Sequence, residues 1–163
     1  MPRKPPNPKV DPKEFLQSRL NAFRDLCFKD GIKLTHQRSE IFCEMILSND
    51  HPSAEILHRQ LKRKMPSLSL DTVYRTLALL ERFGIIARVH HLDDCTRYDS
   101  NLTPHPHWVC KECKRVEDFH WPPFEATISP AESTVWGSVD SVYVELRGLC
   151  HACMKKKRAA SPE

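Results

Sequence analysis

The sequence predicts an α+β fold in two parts: a winged helix-turn-helix domain, and a small α/β domain held together by a metal ion. Three observations support this fold class. The first part has four amphipathic stretches with helix start and stop signals, a pair of strand-like segments follows them, and two C-x-x-C pairs flank the second part. Helices followed by a hairpin are typical of a winged helix-turn-helix. A chain of 163 residues has room for two such small domains.

Capping residues and apolar spacing predict the first three helices. Asp11 caps the first, Pro12 suits its first turn and Gly31 offers a stop. Thr35 begins the second helix and Ser53 the third. Because these helices are short, they must pack on one another. Their expected buried side chains are Leu16, Leu20, Phe23 and Cys27, then Ile41, Met45 and Ile46, then Ile56, Leu57 and Leu61.

The fourth helix is predicted over "LDTVYRTLALLERF", with Ser69 as its cap and Gly84 at its end. At about 100° per residue, one side is apolar and the other offers cations, an aromatic ring and a small residue. The apolar side has Val73, Leu77 and Leu80, and the outward side has Asp71, Arg75, Ala78 and Arg82, with Tyr74 at its flank.

Two short strands are predicted next, "IIARVHH" and "TRYDS", with Arg88 and Arg97 available on the hairpin. In a winged helix-turn-helix the last helix enters the major groove and the hairpin touches phosphates. The alternative is a helical domain whose surface arginines are only solvated.

After Ser100 the pattern becomes extended, in "HWVC", "RVEDF" and the alternating "SVYVELRGL". In the last segment Val142, Val144 and Leu146 are expected to form the half-buried face. The segment between these strands is rich in proline, so any helix there is short. The predicted domains are a disordered basic arm at 1–10, the winged-helix domain with hinge at 11–98, a metal-binding domain at 99–154 and a basic tail at 155–163.

Composition narrows the function classes. No apolar run approaches the roughly 20 residues of a membrane span, and no secretory signal is recognisable, so we expect a cytoplasmic protein without a membrane partner. Seven cysteines, an odd number, argue against a disulfide scaffold. The net charge of +4 is mild, but the runs "HRQLKRK" and "MKKKR" would suit a polyanion. Such runs alone are more often solvated faces or tails.

The two C-x-x-C pairs predict a structural zinc site. Two intervening residues let a tight turn aim both sulfurs at one ion, and four thiolates complete the tetrahedron that zinc prefers. A redox motif needs only one pair, and disulfides are disfavoured in a reducing compartment. The four ligands are Cys110, Cys113, Cys150 and Cys153.

A second metal site is suggested near the histidines. His105 and His107 are two residues apart and therefore point to the same side of a strand, with Asp99 before them and Asp118 after them. Nitrogen and carboxylate ligands suit iron, manganese or zinc. His51 would complete the set, but spacing does not reveal it. Alternatively, these side chains are simply exposed.

The motifs together resemble the ferric uptake regulator family of metal-dependent bacterial repressors, most of all its peroxide-sensing branch. They are "THQR", "DHPSAEIL", "SLDTVYRTLALLERFGII", "TRYDSN", "HPHWVCKEC", "VEDF" and "CHAC", which span about Cys27 to Cys153. The resemblance implies an N-terminal DNA-binding domain, a C-terminal dimerisation domain and a homodimer that binds palindromic double-stranded DNA operators when loaded with metal. It is not an enzyme on this interpretation.

The resemblance also assigns the sites. It implies structural zinc on the four cysteines and regulatory Fe(II) or Mn(II) between the domains. The implied regulatory ligands are His51, Asp99, His105, His107 and Asp118. For DNA contact we expect Tyr74 and Arg75, supported by Asp71, Thr72 and Arg88.

Peroxide sensing is favoured because related iron regulators usually have glutamates where Asp99 and Asp118 stand. By resemblance, His51 or His105 would be the oxidised ligand. The alternative is an iron- or zinc-sensing repressor of metal uptake genes.

A further site of the iron regulators is not expected, because Pro104, Pro106 and Val142 occupy its positions. The usual proline of "T-P-Q-R" is a histidine here, and the proline-rich 121–135 segment replaces a longer dimerisation helix.

Two other classes compete with a repressor. A hydrolase would need a nucleophile motif or a Gly-rich loop, and neither is found among only four glycines. An architectural zinc protein would bind DNA without the second metal. The remaining histidines are interpreted as surface or supporting residues, with His90 and His91 as a candidate accessory site. Cys27, Cys43 and Cys95 are interpreted as packed or free thiols.

Overall fold

The computed structural model describes residues 11–48, 50–89, 96–121, 137 and 142–160. The chain divides into two compact units, Met1–Leu102 and Thr103–Glu163. The sequence suggested a boundary between 98 and 99, whereas the structure assigns Asp99 to the first unit.

The first unit contains four helices that begin where their capping residues predict. They are α1 (Pro12–Lys29), α2 (His36–Leu47), α3 (Ala54–Leu61) and α4 (Leu70–Arg82). Each cap accepts a hydrogen bond from a backbone N–H in the first turn, which has no partner within the helix itself. The caps are Asp11, Thr35, Ser53 and Ser69.

Glycines end α1 and α4 in the same way. Gly31 and Gly84 have φ values of 65° and 63°, in the left-handed region where a Cβ is unfavourable. After α1, the N–H of Ile32 donates to the carbonyl of Cys27 at 2.8 Å. The equivalent bond after α4, from Ile85 to Leu80, is 2.9 Å long. Both ends are therefore Schellman motifs, which satisfy carbonyls of the last turn.

The helices pack around one apolar core. Phe23 of α1 stacks on Phe42 of α2, with ring centroids 5.0 Å apart. The predicted inward side of α4 is confirmed, because Val73, Leu77 and Leu80 are fully buried. For α3 the prediction was partly wrong. Leu57 and Leu61 are buried as predicted, but Ile56 is only half-buried, and the steps of three and four residues add Ala54 to the buried side.

A short hairpin follows the helices. Strands β1 (Ala87–Val89) and β2 (Arg97–Asp99) are antiparallel, with Ala87 opposite Asp99. Arg97 was expected on the surface but is buried, and its guanidinium donates to the backbone carbonyl of His51 at 3.2 Å. This bond satisfies a charged group that would otherwise be costly to bury. Residues 90–95, which include His90, His91 and Cys95, lie outside the described residues.

The second unit contains a three-stranded sheet and a helix. Strands β3 (His107–Cys110) and β4 (Val116–Asp118) are antiparallel, and β5 (Glu145–Gly148) pairs in parallel with the other edge of β3. Helix α5 is His151–Ala160, so most of the predicted basic tail is helical. Among the described residues, no helix is both long and apolar enough to cross a bilayer.

The last strand differs from its prediction. Val142 and Leu146, expected to be half-buried, are exposed by 40% and 37%. The strand itself begins only at Glu145. Leu146 lies opposite the exposed Trp108 of β3, so both are on a sheet face that the described residues leave open to solvent. The 121–135 segment lies outside the described residues except for Trp121.

Truncation of a core side chain tests this packing. Leu77→Ala should lower the free energy of unfolding by about 2–5 kcal/mol, since it removes a fully buried side chain and leaves a cavity. Urea denaturation of the zinc-loaded chain measures the change. The control is Leu47→Ala, at a side chain that is 56% exposed, for which less than about 1 kcal/mol is expected. Equal losses in both variants would contradict the assigned core.

Candidate metal centres and nucleic-acid interface

Four cysteine sulfurs converge in the second unit. Cys110 ends β3, Cys113 lies in the turn before β4, Cys150 immediately precedes α5 and Cys153 lies in its first turn. All four sulfurs are within 4.8 Å of one another, and Cys113 and Cys150 are 3.8 Å apart. Tetrahedral zinc with bonds of about 2.3 Å separates its sulfurs by about 3.8 Å. The cluster therefore fits zinc.

Backbone hydrogen bonds shape this cluster. In the turn after β3, Lys114 adopts a φ of 60° and its N–H donates to the carbonyl of Cys110 at 3.0 Å. The N–H of Lys111 donates to the carbonyl of Gly148 at 2.8 Å, which joins the turn to the end of β5. The first helical bond of α5 runs from Met154 to Cys150. These bonds place one cysteine pair beside the other before any metal is considered.

The thiols are unequal in acidity. Burial by itself raises the pKa of Cys110, but backbone N–H groups of Cys150, Cys113 and Glu112 donate to its sulfur and lower the pKa to about 6. The pKa of Cys153 is raised to about 12 by its hydrogen bond with Cys150, by burial and by the charge on Cys110. The surroundings of the cluster thus favour the thiolate at Cys110 and the thiol at Cys153. A divalent cation would displace the remaining protons.

Two of the other predicted ligands meet in the first unit. His51 is buried, and its Nε2 lies 3.3 Å from Oδ2 of the buried Asp99. His51 adopts a φ of 45°, and the Arg97 guanidinium and the Tyr98 N–H bond the carbonyls of His51 and Pro52. The hairpin thus fixes the loop that carries the histidine.

The remaining three predicted ligands meet in the second unit. The antiparallel register places Asp118 directly opposite His107. Oδ1 of Asp118 lies 3.1 Å from Nε2 of His105 and 3.6 Å from Nε2 of His107. The two imidazole rings have centroids 4.4 Å apart. Three groups that bind transition metals therefore converge on one small volume.

A hydrogen bond orients the first of these rings. Nδ1 of His105 lies 2.6 Å from the carbonyl of Thr103. Because a carbonyl can only accept, Nδ1 carries the proton in this bond, which leaves Nε2, the ring atom that faces Asp118, as the nitrogen available to a metal. This is the tautomer that a metal ligand needs. The group of His105, His107 and Asp118 thus fits a cation such as ferrous iron, manganese or zinc.

The outward side of α4 is exposed as predicted, and its side chains are paired. Arg75 forms an ion pair with Asp71 at 2.9 Å, and Thr72 Oγ1 lies 2.8 Å from Ser69 Oγ. The Tyr74 hydroxyl donates to Glu55 of α3. Hydrogen bonds from Ser53 and Tyr74 lower the pKa of Glu55. Helix α4 therefore offers polar and aromatic groups on a solvent-facing surface.

Several predicted residues lie apart from these clusters. Arg88 is exposed on the hairpin and pairs with Glu81 at 2.8 Å. Cys27 is buried in the helical core and Cys43 is half-buried, and burial raises the pKa of both thiols. The supporting roles of Glu55 and Arg97 are not predictable from the sequence, because no local motif indicates partners so distant in the chain.

Comparison with known proteins identifies the family. The family model described as "Ferric uptake regulator family" matches residues 29–147. The peroxide-responsive repressor PerR of Staphylococcus epidermidis is 30% identical over 128 residues, which cover 78% of this chain and 85% of the relative. The peroxide operon regulator of Bacillus subtilis is 29% identical over 127 residues, which cover 78% and 88% of the two chains.

Solved structures agree. The ferric uptake regulator Fur of Helicobacter pylori aligns with a TM-score of 0.75 at 25% identity, over 85% of this chain and 93% of the other. A zinc-bound manganese uptake regulator aligns with a TM-score of 0.63 at 31% identity, over 78% and 98%. The names of these relatives describe repressors and regulators. The chain belongs to the ferric uptake regulator family.

Replacing one cluster cysteine tests the zinc site. Cys113→Ser should reduce the zinc retained after gel filtration from about one equivalent per chain to near zero, because three thiolates cannot complete the tetrahedron. Atomic emission spectroscopy measures the metal. Cys43→Ser, in the first unit, is the control and should retain its zinc. Full zinc retention by Cys113→Ser would exclude the four-sulfur site.

Proposed function

We propose that this chain is a metal-dependent, DNA-binding transcriptional repressor that responds to peroxide. The observation that carries the proposal is the convergence of two imidazoles on Asp118, in a chain whose α4 exposes Tyr74 and Arg75. Family membership supports it, as do relatives named as peroxide-responsive repressors at 29–30% identity.

The two parts of the chain have separate roles in this proposal. Residues 11–98 bind the operator and residues 99–154 form the homodimer, in the cytoplasm. In a helix-turn-helix dimer, two recognition helices read half-sites roughly 34 Å apart. Tyr74 and Arg75 contact DNA directly, and Asp71, Thr72 and Arg88 support them. Arg75 has the geometry to read a guanine or to hold a phosphate.

One regulatory metal ion binds His51 and Asp99 of the first unit together with His105, His107 and Asp118 of the second. Each group supplies fewer donors than an iron or manganese ion takes, and the mixture of imidazole and carboxylate donors suits either metal. An ion that needs ligands from both units stabilises only those arrangements in which both can reach it. It acts as an effector because it favours the arrangement that binds DNA.

The surrounding residues prepare the ligands. Arg97 holds the His51 loop through the backbone carbonyl, and Thr103 fixes the tautomer of the His105 ring. Two aspartates compensate the charge of a divalent cation. These contacts exist within each unit, so little reorganisation of each ligand group is needed on binding.

Peroxide sensing requires a redox-active metal. Bound ferrous iron would catalyse the net transfer of one oxygen atom from hydrogen peroxide to a ligand imidazole, with release of water. His51 and His105 are the proposed targets. An oxidised imidazole is a poorer ligand, so the metal and then the DNA would be released.

Metal sensing is the second candidate function. A zinc-bound manganese uptake regulator is 31% identical over 78% of this chain, and the donor set accepts manganese or zinc as well as iron. In this alternative the repressor responds to the concentration of the metal itself. The fold, the zinc site and the DNA-binding helix are the same in both candidates.

Metal dependence can be tested on both ligand groups. A duplex is first selected from a random library with the manganese-loaded chain. His51→Asn and His107→Asn should then weaken manganese-dependent binding to that duplex more than about tenfold, since each removes an imidazole ligand; asparagine tolerates the positive φ of His51. Fluorescence anisotropy measures the affinity. His120→Asn, at an exposed site, should bind like the parent, and metal-independent binding by the parent would favour an architectural protein.

Oxidation distinguishes the two candidates. With ferrous iron bound, a low dose of hydrogen peroxide should add one oxygen atom to His51 or His105 and release DNA, whereas manganese should protect both. Peptide mass spectrometry locates the added oxygen. Asp118→Glu should lower peroxide sensitivity while retaining metal-dependent DNA binding. Intact histidines with iron demonstrably bound would support metal sensing instead.

A further inference from the structure

Three exposed basic side chains lie beside the beginning of α4. Arg59 is in the last turn of α3, and Lys62 and Arg63 follow in the next turn. Their spacing of three and four residues places them on one side of the chain. They line a surface groove together with Glu55, His58 and Leu70. We call Arg59, Lys62 and Arg63 the α3 basic cluster.

The α3 basic cluster is held in a fixed position relative to α4. The ring of His58 donates from Nε2 to the carbonyl of Leu68, at 3.0 Å, just before the cap of α4. Leu57 and Leu61 on the other side of α3 are fully buried in the same core as Leu77. The backbone that carries the three cations is therefore held beside α4, unlike the backbone of a flexible tail.

The charge of the α3 basic cluster is not neutralised within the part of the chain that the structure describes. No acidic side chain there forms an ion pair with Arg59, Lys62 or Arg63. The adjacent Lys64, in contrast, pairs with Glu44 at 3.6 Å. The acid of the groove, Glu55, accepts the Tyr74 hydroxyl. The groove thus presents concentrated positive charge that complements a polyanion.

We propose that the α3 basic cluster binds the phosphate backbone of duplex DNA beside the major groove that α4 enters. The inference rests on the proposed DNA-binding function. Packed helices lie about 8–10 Å apart, and the major groove is about 12 Å wide. Helix α3 lies on the flank of α4 that carries Tyr74, because Glu55 accepts the Tyr74 hydroxyl, and a helix on the flank of one inside the groove is close to a bordering phosphate strand. The cluster supplies affinity that is independent of sequence, whereas α4 supplies the sequence preference.

The test neutralises the cluster in the full, manganese-loaded chain. Arg59→Gln, Lys62→Gln and Arg63→Gln are combined, and binding is measured by anisotropy from roughly 50 to 200 mM salt. The probes are the duplex selected by the parent chain and a scrambled duplex. Each lost phosphate contact should reduce the slope of log affinity against log salt by about 0.9, or about 2.7 per chain for three. Affinity should fall by the same factor on both duplexes.

A matched variant controls for net charge. Lys155→Gln, Lys156→Gln and Arg158→Gln remove the same charge from exposed positions on α5, and should leave the slope close to that of the parent. Lys64→Gln controls for a single change next to the cluster. Circular dichroism and zinc content establish that each variant is folded. The three single variants, each with a slope change of about 0.9 per chain, replace the triple variant if it unfolds.

The outcomes separate this inference from the proposed function. Equal salt slopes for the α3 and α5 variants would show a general charge effect and overturn the inference. In that case, metal-dependent DNA binding by the parent chain would still support the proposed function. Loss of preference for the selected duplex would mean that the cluster reads bases, which also overturns it. A parent chain that binds no duplex at all would overturn both.

Discussion

The convergence of four cysteine sulfurs, all within 4.8 Å of one another, is the constraint on which the second unit depends. The parallel pairing of β3 with β5 joins segments separated by more than thirty residues, and such pairings are costly in chain entropy. Cys110 lies opposite Gly148 in this pairing, so the cluster forms only when the register is correct. A cation that neutralises the thiolates therefore stabilises the register as well as the cluster. Its binding free energy is at the same time folding free energy.

The same strand connects the zinc cluster with the histidine group. β3 begins with His107 and ends with Cys110, and its antiparallel partner places Asp118 opposite the histidine. A slip of one residue would turn His107 to the other face of the sheet, away from Asp118. The structural metal thus sets the position of ligands in the proposed regulatory site, although it does not touch them. This dependence gives a physical reason why the zinc cluster and three ligands of the proposed regulatory site share one small sheet.

Local signals made much of this architecture predictable. The capping side chains and the glycines predicted where the helices begin and end. The two C-x-x-C pairs predicted that their four sulfurs converge. The residues that escaped prediction depend on distant partners. Arg97 reads as a surface arginine, yet the His51 carbonyl makes its burial favourable. Leu146 fits the alternation of apolar and polar residues in a half-buried strand, but the burial of a sheet face depends on which other parts of the protein pack against it. The role of His51 as a ligand was predicted only from the family resemblance, because its position in the sequence does not indicate that it lies beside Asp99.

The cation proposed to read DNA has an acidic partner within the protein, whereas the cations proposed to bind the phosphate backbone have none in the described structure. Arg75 and Asp71 form an exposed pair of the kind worth less than about 1 kcal/mol, so a base or a phosphate can displace the aspartate at little cost. Tyr74 is likewise held by Glu55 of α3. These contacts orient the two side chains proposed to read DNA in the free protein, which would lower the entropy lost on binding. Arg59, Lys62 and Arg63 have no such acidic partner in the described structure, and their attraction for phosphate acts at any sequence. Glu55 belongs to both groups, because it lines the groove of the basic cluster and accepts the hydroxyl of Tyr74. The surface proposed to hold the DNA backbone therefore also orients a side chain proposed to contact the bases.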